Sequence, residues 1–191
     1  MMNWKLLFNP FQKIETNTLL IIGGLLFLIG SFFAFYFGFT FDGVLDLHTV
    51  GEISLLNAFK QNAINIVILW LLLLGLGLFI NAKTRWNDVL VSVLIFRIPF
   101  YLMILLSSIP FIKNTLNEFA NSLKIGKEFQ FEIENILIIS GYSMVSLALL
   151  VYAIILLFNG FKTATNAKGW RHYLSFALVL IVSEVITKFI I

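Results

Sequence analysis

The sequence predicts an all-α integral membrane fold: a bundle of five transmembrane helices with the N-terminus cytoplasmic and the C-terminus outside. Three observations lead there. Of the 191 residues 60% are apolar and 12% charged, where a soluble domain carries about 25% charged residues. Apolar runs recur five times along the chain, each close to the roughly 20 helical residues that a hydrocarbon core about 30 Å thick requires. Lysine and arginine are more frequent in alternate connections, the bias that orients membrane helices.

The elements follow in order. Residues 1–17 form an N-terminal interfacial segment, in which "NWKLLFNPF" puts Trp4, Leu7 and Phe8 on one side before Pro10 breaks the turn. Residues 18–191 form a single five-helix transmembrane domain. Span one, 18–39, is "TLLIIGGLLFLIGSFFAFYFGF". It is too long for the apolar region of a signal peptide and no A-x-A-like cleavage site follows, so it is expected to remain in the mature protein. Span two covers about 62–80, span three 88–110, span four 136–158 and span five 173–191. Lipid offers no partner for an open backbone, so these runs are helices, and they lack the alternation of barrel strands. In the longer connection 111–135, Leu116, Phe119 and Leu123 recur at helical spacing among Asn117, Glu118 and Asn121. That pattern suits a short helix lying on the membrane, or simply an ordered connecting segment.

Orientation comes from the charges near the span ends. Lys5, Lys13, Lys83, Arg85, Lys162, Lys168 and Arg171 share one side with Glu15 and Asp88. Lys60, Lys113, Lys124, Lys127 and Lys188 share the other with Asp42, Asp46, Glu52, Glu118, Glu128, Glu132 and Glu134. The first side is placed in the cytoplasm. Trp4, Trp86 and Trp170 fall at that side's span ends, where indole rings favour the interface, while Trp70 is mid-span. High Phe, Ile, Asn and Lys usage suggests an AT-rich bacterial genome and hence the inner membrane.

Arg97, in "VLIFRIPFY", lies about 14 Å into span three at the helical rise. Placing a guanidinium there costs about 2.5–3.5 kcal/mol on insertion scales, so a partner or a water-filled cavity is required. Glu184 is the one acid within a span, about 17 Å along span five, which runs in the same direction. An intramembrane polar pair of Arg97 and Glu184 is therefore expected, with Lys188, four residues after Glu184, competing for the carboxylate or snorkelling outward. Such a pair could clamp helix register or form a substrate or proton site; the clamp is preferred. Pro99 is expected to kink span three. Gly30, Ala34 and Gly38 recur every four residues and predict close helix packing, as does Gly141 among Ser140, Ser143 and Ser146.

The chain carries no recognisable catalytic apparatus. His48 and His172 belong to no H-E-x-x-H pattern, "SGYSM" is not G-x-S-x-G, and no phosphate-binding glycine loop is present. With no cysteine, disulfides and thiolate metal sites are excluded. No catalytic residue, metal, cofactor or nucleic-acid partner is expected. The basic stretch "NGFKTATNAKGWRHY" offers Lys162, Lys168 and Arg171 to anionic lipid at about 1 kcal/mol per charge.

Four stretches carry a family resemblance: "FNPF" at 8–11, "RIPFY" at 97–101, "SGYSMVSLALLVYA" at 140–153 and "LFNGFKTATNAKG" at 157–169. With five spans and this orientation, the chain resembles the Yip family of Ypt- or Rab-interacting five-span membrane proteins, especially its bacterial branch. The resemblance implies a non-enzymatic membrane role. Rab binding is not carried over, because the N-terminal region is short and the family's Asp-Leu-Tyr-Gly-Pro motif is missing; Asp46, Leu47 and His48 echo only part of it. The expected task is organisation of membrane or protein partners: the lipid bilayer, with a membrane protein or a second copy of the chain. The alternative is a small-solute or ion transporter with a polar midplane site near Arg97, Pro99 and Glu184. A cavity reaching Arg97 would favour transport, and a dry, paired arginine would favour organisation.

Overall fold

Span three is the most enclosed of the five. In the computed structural model, which describes residues 4–125 and 132–191, 67% of its most apolar stretch is buried in the protein, against 22–28% for the other four. The chain runs α1 (Trp4–Phe8), a 3-10 turn (Pro10–Gln12), α2 (Thr16–Phe37), β1 (Phe39–Thr40), β2 (His48–Thr49) and α3 (Leu55–Ile80). It continues through α4 (Trp86–Phe96), α5 (Ile98–Ser107), α6 (Pro110–Ile125), α7 (Ile133–Thr165) and α8 (Trp170–Ile190). Five helices are long and apolar enough to cross a membrane, with α4 and α5 counting together as Trp86–Ser107. This is the architecture of an integral membrane protein.

Side-chain contacts fix the alternation of the spans. Thr16 Oγ1 donates to Asp88 Oδ1 at 2.9 Å, joining the starts of α2 and α4, and Asn81 Nδ2 donates to the Thr165 carbonyl at 3.2 Å, joining the ends of α3 and α7. At the other end of the bundle, Lys188 near the end of α8 donates to Asp46 at 2.7 Å, in the connection that follows α2.

Several boundaries differ from the sequence expectation, each for a local reason. Span two begins at Leu55 rather than at Asn62, because Ser54 caps the helix by accepting from the Asn57 N–H at 3.2 Å. Of the polar residues that read as connection, Gln61 is half-buried while Asn57 and Lys60 are exposed, and just inside the expected span Asn62 and Asn65 are buried. Span four extends over Ile133–Thr165, so the basic loop expected from Asn159 shrinks to four residues after left-handed Asn166 ends the helix at φ 53°. Lys162 therefore stands on α7, its ammonium 5.7 Å from the Tyr173 ring centroid, and Arg171 on α8, 5.9 Å from the Trp170 ring. Span three closes at Ser107, and the expected surface helix is α6, with Leu116 and Phe119 half-buried and Asn117, Glu118 and Asn121 exposed. Leu123 and Trp4 are described by backbone alone, and Lys127 and Glu128 lie outside the described residues.

The 3-10 turn and α1 lie against α7. Tyr152 Oη donates to the Leu7 carbonyl at 3.0 Å, Asn159 Nδ2 to the Phe8 carbonyl at 2.8 Å, and the Phe8 and Tyr152 rings meet edge to face. The N-terminal segment thus docks on the bundle through its own carbonyls as well as its apolar side.

Gly30, Ala34, Gly38 and Gly141 serve different purposes. Gly30 lies under the Tyr101 ring, where an added Cβ would come within 2.2 Å of ring carbon, and Ala34 is fully buried beside it. Gly38 ends α2 at φ 74° and its carbonyl accepts from the Val50 N–H at 2.9 Å, a conformation that disfavours any side chain. Gly141 meets nothing within 4 Å and leaves that side of α7 open. Replacing Gly30 by Val should therefore destabilise the folded protein by about 1–3 kcal/mol through overpacking, whereas Gly24→Val, into open space on the same helix, should not. Thermal unfolding midpoints in detergent measure the difference, and equal midpoints would contradict the close approach.

Candidate polar site around Arg97

The segment between α2 and α3 turns back into the bundle. Phe39 and Thr40 pair antiparallel with Thr49 and His48, and the connecting turn is buried: Phe41 and Val44 have no exposure and Phe39 has 4%. A turn is normally on the surface because its backbone polar groups need partners. Here the protein supplies them. Gln61 Oε1 accepts from Thr40 Oγ1 at 2.8 Å and from the Phe41 N–H at 3.4 Å, and Asn65 Nδ2 donates to the Phe41 carbonyl at 2.8 Å.

The remaining partners are the two intramembrane charges. Arg97 Nη1 donates to the Val44 carbonyl at 2.9 Å, and the Leu45 N–H donates to Glu184 Oε2 at 2.7 Å. That carbonyl and that N–H belong to one peptide group. Arg97 and Glu184 do not form a direct ion pair, as depth matching had suggested; they grip opposite poles of the Val44–Leu45 peptide, whose dipole points its negative end at the guanidinium and its positive end at the carboxylate. Gly43 makes the approach feasible, because a Cβ there would lie 2.5 Å from Glu184 Oε1. Lys188 takes the outer side of the carboxylate, 3.6 Å from Glu184 Oε1 and 2.7 Å from Asp46 Oδ2.

Arg97 is 1% exposed. Its Nε donates to Asn62 Oδ1 at 3.1 Å, and Asn62 Nδ2 donates in turn to Ser31 Oγ at 2.9 Å and Tyr101 Oη at 3.0 Å. The guanidinium carbon lies 4.7 Å from the Phe41 ring centroid and 4.9 Å from that of Phe100. Hydrogen bonds to a charged group contribute about 1.5–3 kcal/mol each, so two of them offset the insertion cost without a counter-ion in contact. The helix itself yields at this point. Arg97 separates α4 from α5, its N–H bonds the Leu94 carbonyl three residues back at 3.2 Å, and Pro99 has no N–H to offer the Ile95 carbonyl. The break turns the guanidinium toward the inserted hairpin.

Two buried atoms of this network, Arg97 Nη2 and Asn65 Oδ1, have no hydrogen-bond partner among the described residues. At the hairpin's mouth Asp42, Asp46 and His48 bring one potential metal-ligand atom each to within 4.8 Å of one another. His48 Nε2 lies 3.4 Å from Asp42 Oδ2 and Lys188 occupies Asp46, so the cluster satisfies itself. Sequence reasoning found Arg97, Glu184 and Pro99 and missed Ser31, Asn62, Asn65, Tyr101 and the Val44–Leu45 peptide. The signal that was available is the spacing of Asn62 and Asn65, which puts two amides on one face of an apolar helix.

Comparison of the chain with protein-family models, with curated proteins and with solved structures found no match.

Charge reversal tests the peptide-centred geometry. Arg97→Glu would set a carboxylate against the Val44 carbonyl and Glu184→Arg a guanidinium against the Leu45 N–H, so each should lower the yield of folded protein. The double variant should not recover it, because the peptide cannot reverse its dipole between fixed neighbours. Glu184→Gln keeps an acceptor and should retain most of the yield. Recovery in the double variant, read by size-exclusion chromatography in detergent, would show direct pairing.

Proposed function

We propose that the chain is a non-enzymatic protein of the bacterial inner membrane, of the kind the Yip family represents, whose task is to organise membrane or protein partners. One observation carries this reading: the intramembrane charge is sealed. Arg97 is 1% exposed, its Nη1 holds the hairpin and its Nε holds Asn62 of α3, which leaves it acting as a clamp. The Tyr101 hydroxyl and the Asn62 amide, which could otherwise line a permeation path, are 5% or less exposed and bonded to each other. The orientation with the N-terminus cytoplasmic belongs to the same proposal and rests on the distribution of lysine and arginine. Among the small residues expected to admit another helix, Gly30 and Ala34 are already covered within the chain and Gly141 is open. Contact with a membrane protein or a second copy would accordingly use α7. Lys162, Lys168 and Arg171 remain candidates for contact with anionic headgroups.

A second reading, transport of a small solute or ion at the midplane, draws on the unpartnered Arg97 Nη2 and Asn65 Oδ1. Water access separates the two. The chain has no cysteine, so a single introduced thiol reports directly. Ser31→Cys, nearly isosteric at a fully buried position, should resist a water-soluble maleimide in proteoliposomes, while Thr49→Cys on the exposed β2 should react. Labelling of Ser31→Cys at a comparable rate would favour transport and count against the sealed clamp.

A further inference from the structure

We propose that the chain holds one aminophospholipid, with a phosphatidylethanolamine-type headgroup, at the bundle end opposite the hairpin. Two adjoining features carry it. The first is an apolar groove of about 370 Å³ between the docked α1 and the sides of α2, α5 and α7, lined by Leu6, Leu7, Ile22, Ile98 and Leu156. It is built into the fold, because the Tyr152 and Asn159 side chains fasten α1 across it by the Leu7 and Phe8 carbonyls. In a bilayer a lateral groove of this chemistry takes an acyl chain, which loses no hydrogen bond on entry.

The second feature is a polar cleft of about 130 Å³ lined by Phe11, Thr16, Asp88, Gly160 and Thr163, and Leu19 borders both the cleft and the groove. Asp88 Oδ1 accepts from Thr16 Oγ1 at 2.9 Å; among the described residues Oδ2 has no hydrogen-bond partner and no lysine or arginine pairs with the carboxylate. Thr163 Oγ1 donates to the Asn159 carbonyl at 2.8 Å, which leaves its lone pairs free to accept. A negative charge, a hydroxyl acceptor and the Phe11 ring form a receptor for a cation with N–H donors. A primary ammonium at the end of a phospholipid headgroup satisfies that chemistry while its acyl chain follows Leu19 into the groove. A glycerol headgroup brings no charge to Asp88 and a trimethylammonium brings no donor. Lys13 and Arg85, exposed near the same end, are available to the phosphate.

The lipid site requires only that the helices lie in a bilayer, so its failure would leave the organising role intact and the reverse also holds. The test incorporates the full chain into nanodiscs of equal phosphatidylethanolamine, phosphatidylglycerol and phosphatidylcholine, extracts it in mild detergent, and quantifies retained lipid by mass spectrometry. The wild-type protein should retain phosphatidylethanolamine about tenfold over the other two, the ratio to which about 1.4 kcal/mol corresponds. Asp88→Asn keeps an acceptor for Thr16 and should bring the ratio to that of the bulk. Thr163→Val, on an exposed position, should reduce it less, and serves if Asp88→Asn fails to fold. Free ethanolamine at the same concentration should not displace the lipid. Equal retention of the three lipids by the wild type, preference for phosphatidylglycerol, an unchanged ratio in both variants, or displacement by free ethanolamine would each overturn the proposal.

Discussion

The structure depends on a guanidinium that has to be buried. Once Arg97 stands in the middle of the most enclosed helix, apolar side chains cannot satisfy it, and the desolvation cost falls on whatever surrounds it. The chain answers by folding the segment after α2 back into the bundle so that a backbone carbonyl meets the charge. This choice creates further demands. An inserted hairpin brings its own amides and carbonyls, and Gln61, Asn65 and Glu184 are placed to meet them. Gly43 is needed for the carboxylate to approach, and Gly30 for Tyr101 to lie flat against α2 and reach Asn62.

A peptide between the charges differs physically from a salt bridge. Direct contact of two buried ions concentrates their attraction but strips both of water, and the net gain is often small or negative. With the Val44–Leu45 peptide inserted, each ion keeps a hydrogen bond of 2.7–2.9 Å to a neutral dipole, and their mutual attraction, weaker with distance, adds to the orientation of that dipole. The arrangement also ties together elements far apart in sequence. The network runs from Ser31 on α2 through Asn62 on α3 and Arg97 in span three to the hairpin and Glu184 on α8. Span four stays outside it and packs against α4 and α5, with hydrogen bonds from Tyr142 to Ser107 at 2.7 Å and from Asn81 to Thr165 at its two ends.

The sequence made five long apolar helices plain, because hydrocarbon thickness and backbone satisfaction leave few alternatives. It also marked Arg97 and Glu184, since a charge in such a helix stands out against its neighbours. What it could not show was the connector between them. Residues 40–61 read as an outward connection carrying Asp42, Asp46 and His48, and nothing in their types says that its first part enters the bundle. Burial of a turn is decided by partners supplied from other helices, and those partners on α3, Gln61 and Asn65, looked like the polar edge of a span. The boundary error at span two and the missed hairpin thus have one cause. Gln61, a polar residue beside an apolar run, was read as facing water, when it faces the protein.

The polar network is enclosed in the bundle and the apolar grooves open outward from it, and this division bears on what the protein can do. Arg97, Asn62 and the hairpin close the half nearer the α2–α3 connection, where the helices are joined by directional bonds that resist sliding. On the other half α1, α2, α7 and Ile98 frame an apolar groove with Asp88 beyond its edge, and a second apolar groove between α5, α6 and α7 opens on the hairpin's own half. A transporter needs its polar site to be reached alternately from two sides, and here the polar site is the most tightly enclosed part of the molecule. A protein that organises its surroundings needs the converse, a rigid interior with its chemically varied surface turned outward toward lipid and neighbouring helices. Arg97 is enclosed while apolar grooves open toward lipid at both ends of the bundle, an arrangement closer to the second kind of protein.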